Sequence, residues 1–195
     1  GYNPSKTLSM QYDLELSKKL LKDAGYPGGK GLPDLQYDTR GDTEITKKQA
    51  EYIKNQLKKI GINLNVVVNS FTTFLKKVRE GSLQLWMGGW SMDYPDAENL
   101  LQLLYSKNSP PGPNATFYKN KNFDNSFKKF KAAYSAVEKE ELMKKMEEIV
   151  LNDFPWFMLY YQRTYTLFHE NILNYRYSDI IPNIYKYLRI KKSNR

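Results

Sequence analysis

The chain has 195 residues, 41% of them hydrophobic and 14% aromatic, with a formal charge of +9, one histidine (His169) and no cysteine. That is enough apolar material for a buried core and too much for a disordered chain, and no apolar run approaches the roughly 18 residues that a membrane helix needs, so a soluble chain is expected. Without cysteine there are no disulfides, thiolate nucleophiles or thiolate zinc sites; a lone histidine excludes His-rich metal centres and leaves any Ser-His-Asp chemistry only His169.

Asp13 is placed to cap a helix running to about Ala24, with Leu16, Leu20, Leu21 and Ala24 on one face and Gly25 to stop it. A glycine- and proline-rich loop over residues 25–33 leads into a short strand, 35–39, where Leu35 and Tyr37 alternate with Gln36 and Asp38. The spacing of Ala50, Ile53, Leu57 and Ile60 predicts a helix over 43–60, ended by Gly61. The β-branched run 62–68 reads as a second strand. Residues 71–80 read as a third helix, with Phe71, Phe74, Leu75 and Val78 inward, and 83–90 as a third strand. Helices and strands joined by glycine turns in this order argue for an α/β layer with a largely parallel sheet.

Beyond that point the chain is more helical. Pro95 suits the first turn of a helix over 95–105, and 106–122 is a proline-rich loop. Phe123, Phe127, Phe130 and Tyr134 mark one amphipathic helix, and Leu142, Met146, Ile149 and Val150 another. On the latter, Glu140 and Glu141 stand four residues before Lys144 and Lys145, the favourable order for surface pairs. From Phe154 the pattern is aromatic and extended, and several aromatics between Trp156 and Tyr187 are expected to pack on the sheet or its helices. Residues beyond Ile190 are expected to fray. Residues 1–11 show no periodicity and read as a segment entering a domain from upstream.

The charge suits a nucleic-acid module. The lysines, however, are spread along helices in pairs such as Lys18-Lys19, Lys47-Lys48 and Lys144-Lys145, which reads as a solvated surface, so no nucleic-acid partner is expected. The run Gly25–Gly31 lacks the spacing, the Ser or Thr and the strand-to-helix context of a phosphate loop. Asn114-Ala115-Thr116 has the letters of a glycosylation sequon, a triplet common by chance. Asp93 and Asp96 form a candidate carboxylate pair for hydrolysis, although carboxylates beside a helix start are more often caps. The residues call for no cofactor and no metal.

The most informative stretch is Leu85-Trp86-Met87-Gly88-Gly89-Trp90-Ser91-Met92-Asp93-Tyr94-Pro95-Asp96. A buried strand with two glycines releases the chain at its carboxyl end, where open α/β sheets bind ligands. There it presents an aromatic plate, Trp90, and a carboxylate, Asp93, suited to an ammonium or guanidinium group. Gly88 and Gly89 are expected to let the strand end pack closely. Residues 90–93 read equally well as a strand-to-helix turn with a capping aspartate and a core tryptophan.

Several segments, in order, resemble the second half of the oligopeptide- and dipeptide-binding proteins of ABC importers, the family 5 solute-binding proteins. They are Gly1-Tyr2-Asn3-Pro4, Tyr12-Asp13, Gly25-Tyr26-Pro27, Gly61-Ile62, Phe71-Thr72-Thr73-Phe74, Gly89 to Asp96, Asp153-Phe154-Pro155-Trp156 and Tyr187-Leu188. The resemblance implies one lobe of a type II periplasmic-binding-protein fold, an open mixed sheet flanked by helices. It implies that residues 1–195 form a single lobe of a longer, two-lobed extracytoplasmic protein, often a lipoprotein whose anchor lies outside this chain. The segment 180–195 would return toward the N-terminal lobe, which is absent here.

The resemblance also implies a binding protein rather than an enzyme, with a peptide ligand and the permease subunits of an ABC transporter as partners. Asp93 would pair with the ligand's N-terminal ammonium, the backbone around Ser91 and Met92 would bond to the peptide, and Trp90 would line a side-chain pocket. Phe71 falls where some relatives carry a cleft tryptophan, and Met87 where some peptide binders place an arginine for a ligand carboxylate. The family also includes binders of nickel complexes and oligosaccharides, and these stand as alternatives, beside a basic nucleic-acid module and a carboxylate-dependent hydrolase.

Overall fold

The computed structural model describes residues 12–161, 163, 165–178 and 183–191. The segment 1–11, residues 180–182 of the expected return segment and the terminal 192–195 lie outside them. The chain divides into two compact units, Gly1–Gly88 and Gly89–Arg195.

In the first unit, α1 (Leu14–Asp23) starts as expected: the Asp13 carboxylate accepts a hydrogen bond from the Leu16 N–H at 2.8 Å. Its apolar face differs from expectation. Leu16 and Leu20 remain exposed, and no residue of the helix is buried among the described ones. The glycine-rich run has a packing reason. A Cβ on Gly29 would lie 1.9 Å from the Gly61 carbonyl oxygen, and one on Gly61 1.9 Å from that of Gly28. Two backbones meet where no side chain fits, both at positive φ, which only glycine adopts without strain.

β1 (Leu35–Thr39), α2 (Glu44–Lys58), β2 (Leu64–Val68), α3 (Phe71–Glu80) and β3 (Leu85–Trp86) follow in turn. Thr43 and Ser70 cap α2 and α3 by accepting the Thr46 and Thr73 N–H groups, each at 3.2 Å. The sheet order is β2-β1-β3 with both pairings parallel. Tyr37, Ala50 and Leu64 are buried, and Leu35, Ile53, Leu57, Val66, Leu85 and Met87 pack around them. The third strand is much shorter than the 83–90 expected. Only Leu85 and Trp86 find register partners on β1, Tyr37 and Asp38, so the extended chain beyond them has no ladder to join.

In the second unit, the helix expected over 95–105 is a single turn, α4 (Glu98–Leu101), continued by a 3-10 turn at Gln102–Leu104. α5 (Lys121–Ala132) and α6 (Ala136–Asp153) carry the core: Phe123, Phe127, Phe130, Met146 and Leu104 are buried together. Burying each such side chain stabilises by roughly 1.5–3 kcal/mol. Tyr134, expected on this face, is fully exposed because α5 ends at Ala132 and the periodicity outlasts the helix. The Asn120 side chain joins the two helices: its Oδ1 accepts the Phe123 N–H at 3.0 Å and its Nδ2 donates to Asp153 at 2.7 Å.

Asn114, the sequon asparagine, is fully buried. Its Nδ2 donates to the Tyr105 and Tyr118 carbonyls and its Oδ1 accepts from Tyr118 N–H and Thr116 Oγ1. The triplet is a structural amide clamp, with no nitrogen free for a sugar.

Of the aromatic tail, Trp156 packs against the helical core, and the rings of Phe168 and Tyr175 stand 4.7 Å apart. Phe157, Tyr161 and Leu167 are exposed. β4 (Ile172–Leu173) and β5 (Arg189–Ile190) form a short antiparallel pair, extended by Lys191 N–H to the Asn171 carbonyl at 2.8 Å. Among the described residues, no helix is long and apolar enough to cross a membrane.

Candidate functional site

Residues 90–96 sit in the second unit, between Gly89 and α4. The glycines are not packed as expected. A Cβ on Gly88 would come no nearer than 3.8 Å to another group, one on Gly89 would meet nothing within 4 Å, and neither takes a positive φ. The segment is held instead by side chains. Trp90 is 44% exposed, yet its Nε1 donates to Asn99 Oδ1 at 2.6 Å. Asn99 is fully buried in α4, so the indole is tied at its nitrogen to a buried acceptor while much of its ring stays open. The Asn99 Nδ2 has no acceptor among the described residues.

Asp93 and Asp96 part company here. Asp96 is the capping residue: its Oδ1 accepts the Glu98 N–H at 2.8 Å and its carbonyl the Asn99 N–H at 3.0 Å. Asp93 is exposed and has no hydrogen-bond or ion-pair partner among the described residues. The reading of Asp93 as a cap therefore falls, and with Asp96 committed to the backbone the two do not form a matched acid–base pair. Ser91 and Met92 are exposed beside Asp93.

Phe71 and Met87 belong to the first unit. Phe71, the first residue of α3, was expected to face inward but is half exposed, with the Arg40 guanidinium 5.1 Å from its ring centroid. Phe74, three residues on, is the ring that goes inward. Met87 is half-buried against the Tyr37–Ala50–Leu64 core. Nearby, Asp38 is fully buried and saturated: Gln36 Nε2, Asn69 Nδ2 and Lys77 Nζ donate to it at 2.8, 2.8 and 2.7 Å. Burial pushes its carboxyl up, but those hydrogen bonds and the Lys77 charge outweigh burial and hold it below the usual carboxylate range.

Two residues escaped the sequence reading. Asn99 is a first-turn asparagine of the kind that normally caps, and nothing local shows its partner to be Trp90. Arg40 follows the end of a strand, an ordinary place for a solvated cation. Several other cations are ordinary in this sense: Lys18, Lys48 and Lys144 pair with Glu15, Glu44 and Glu140 on exposed faces. Such pairs are worth little and mark a solvated surface. Among the described residues, no group of three or more His, Cys, Asp or Glu could hold a metal ion.

The chain matches the model of the bacterial extracellular solute-binding proteins, family 5, middle region, over residues 1–112. It is 32% identical to heme-binding protein A of Haemophilus influenzae over 146 residues, which cover 74% of this chain and 27% of that protein. It is 29% identical to the periplasmic oligopeptide-binding protein OppA of Salmonella typhimurium over 179 residues, 91% of this chain and 32% of that one. The solved structure of the ABC transporter-associated periplasmic binding protein DppA of Helicobacter pylori, in complex with the peptide STSA, is 32% identical, with a TM-score of 0.65 over 74% of this chain and 28% of that one. The chain thus spans about a third or less of the length of these relatives. Since the family match covers more than half of the chain, and the α/β architecture agrees with that of a periplasmic binding protein, the protein belongs to the family 5 bacterial extracellular solute-binding proteins.

Proposed function

We propose that this chain is the C-terminal lobe portion of an extracytoplasmic binding protein that delivers peptides to the permease of an ABC importer, and that Asp93 pairs with the ligand's N-terminal ammonium. It acts by binding and not by catalysis. The observation that carries the reading is the pairing of opposites at residues 90–93: an indole tied to a buried amide beside a carboxylate with no partner among the described residues. Peptides of varied sequence share a backbone and termini. A promiscuous binder therefore gains by fixing the ammonium with a carboxylate and offering aromatic area to side chains. Closing a cleft over the pair excludes water, strengthens it and signals that cargo is aboard. The oligopeptide-binding relative and the peptide complex of a 32% identical protein support the peptide class.

A second reading, a non-peptide solute in the same cleft, is favoured by the similarity to a heme-binding protein. The full-length protein, titrated calorimetrically with a free-amine peptide and its N-acetylated twin, separates the two. Wild type should prefer the free amine, and Asp93→Asn should lose that preference and bind about a hundredfold to a thousandfold more weakly. If Asp93→Asn binds the free-amine peptide as tightly as wild type, the role of Asp93 is wrong. Heme binding with no peptide heat would favour the second reading.

A further inference from the structure

The loop 89–93 carries the exposed side chains of the candidate site, and little holds it in place. Among the described residues, the bond from Trp90 Nε1 to Asn99 Oδ1, 2.6 Å long, is the one hydrogen bond that residues 89–93 make. The far end of that bond is anchored. The Asn99 N–H donates to the Asp96 carbonyl at 3.0 Å, and the Asn99 carbonyl accepts from Gln102 Nε2 at 3.4 Å. Its helix is held on the core of the unit by Leu101, which packs there, and by the Glu98–Lys131 pair at 3.0 Å.

An indole nitrogen can only donate, so the amide atom that faces it is the oxygen, and Nδ2 is the other branch of the amide. That Nδ2 is buried without an acceptor, the one side-chain polar atom in this state among the described residues. A buried donor left unpaired costs stability. Leucine has nearly the same size and no donor to satisfy, so packing alone does not call for asparagine at 99. What the amide adds is the oxygen that takes the indole N–H.

That bond has two consequences for a ligand. It restrains a ring carried on a short loop, so the ring has less freedom to lose when a ligand docks. It also uses up the only polar atom of the indole. What stays open is the ring itself, on which no other ring or cation stacks among the described residues. An open indole face attracts flat rings through its quadrupole and offers no hydrogen bond. We propose that Asn99 is a positioning residue for ligand selectivity: by taking up the indole N–H it fixes the Trp90 ring, so that this part of the site reads a ligand side chain by ring stacking and not by hydrogen bonding. The inference rests on the peptide reading above and deepens it.

The test uses the full-length protein and alanine pentapeptides that carry phenylalanine, or its ring-saturated counterpart cyclohexylalanine, at each position in turn. The two side chains are close in size, but only phenylalanine has a π face. At one position wild type should prefer phenylalanine by about three- to tenfold, the range of an aromatic pair. Asn99→Leu should bring that ratio close to one, and Asn99→Asp, which keeps an oxygen for the indole, should retain most of it. Both should leave the preference for a free over an acetylated amine intact. Added to Trp90→Phe, Asn99→Leu should change the ratio no further, because Asn99 acts through the indole N–H. An unchanged ratio in Asn99→Leu overturns the proposal, even with a lowered melting temperature, because the bond then serves the fold alone. A wild type without ring preference at any position overturns it as well. One readout needs no variant at 99: the indole N–H resonance that vanishes in Trp90→Phe should exchange with solvent at least about tenfold more slowly than that of free tryptophan. Exchange as fast as in free tryptophan overturns the proposal. If wild type binds none of the peptides, the peptide reading itself fails and this proposal falls with it, whereas intact amine discrimination beside an unchanged ring ratio removes Asn99 alone.

Discussion

In the first unit Asp38 is wholly buried and receives hydrogen bonds from Gln36, Asn69 and Lys77; in the second, Asp93 is exposed and receives none among the described residues. A buried carboxylate is tolerable only when its lone pairs are filled and its charge is matched, so Asp38 is spent on holding α3 to the carboxyl end of β1. An exposed carboxylate keeps its hydration until something replaces it. With Asp96 already capping α4, Asp93 contributes nothing visible to its own unit. The two aspartates show how to tell a structural acid from an available one: by what its oxygens already accept, not by residue type or motif.

The contrast can be broken by substitution. The largest effect on stability is expected at Lys77→Met, which leaves Asp38 buried without its cation and should cost about 3 kcal/mol in denaturant unfolding. Adding Asp38→Asn should recover part of that loss, because the two are directly coupled. The sign of the pH dependence follows from the same site. The Asp38 carboxyl is held below its ordinary value in the fold, so its contribution is present above the unfolded value of about 3.9 and fades as pH falls from there through the lower folded value. Asp38→Asn should flatten that acid limb; a limb as steep as wild type would show that Asp38 is not the group responsible.

A smaller effect is expected at Trp90→Phe. It keeps an aromatic plate but removes the Nε1–H, leaving buried Asn99 without its only described side-chain partner, at a cost of about 1–2 kcal/mol. A neutral result would mean that the indole is not tied as drawn. The smallest is Asp93→Asn, which should change stability by less than about 0.5 kcal/mol while abolishing amine discrimination in the full-length protein. A loss of stability comparable to that at Lys77 would place Asp93 in the same class as Asp38 and end the contrast.

Much of the first unit was readable from the chain because its rules are local. Thr43 and Ser70 cap within one turn, and Gly61 and Gly81 stop helices by their φ. Ala50, Ile53 and Leu57 bury the face their spacing announces. The errors occur where a local pattern outlasts its partner. Leu16 and Leu20 form an apolar stripe with nothing described beneath it, the β3 run extends past its two pairings with β1, and Tyr134 keeps the helical phase beyond the end of α5.

The sequence by itself determined the element order, the caps, the glycine stops and the placing of Trp90 and Asp93 on one short loop, because each depends on groups within a turn or two of chain. Only the tertiary structure decided which of two neighbouring aspartates is consumed as a cap, that Asn99 lies buried under Trp90, that Lys77 and Asn69 neutralise Asp38, and that Arg40 rests on Phe71. Those outcomes depend on which strands pair and where each helix then lands. Hydrogen bonds and ring contacts fall off within a few ångströms, so small differences in that landing decide whether a polar group is used by the fold or left for a ligand.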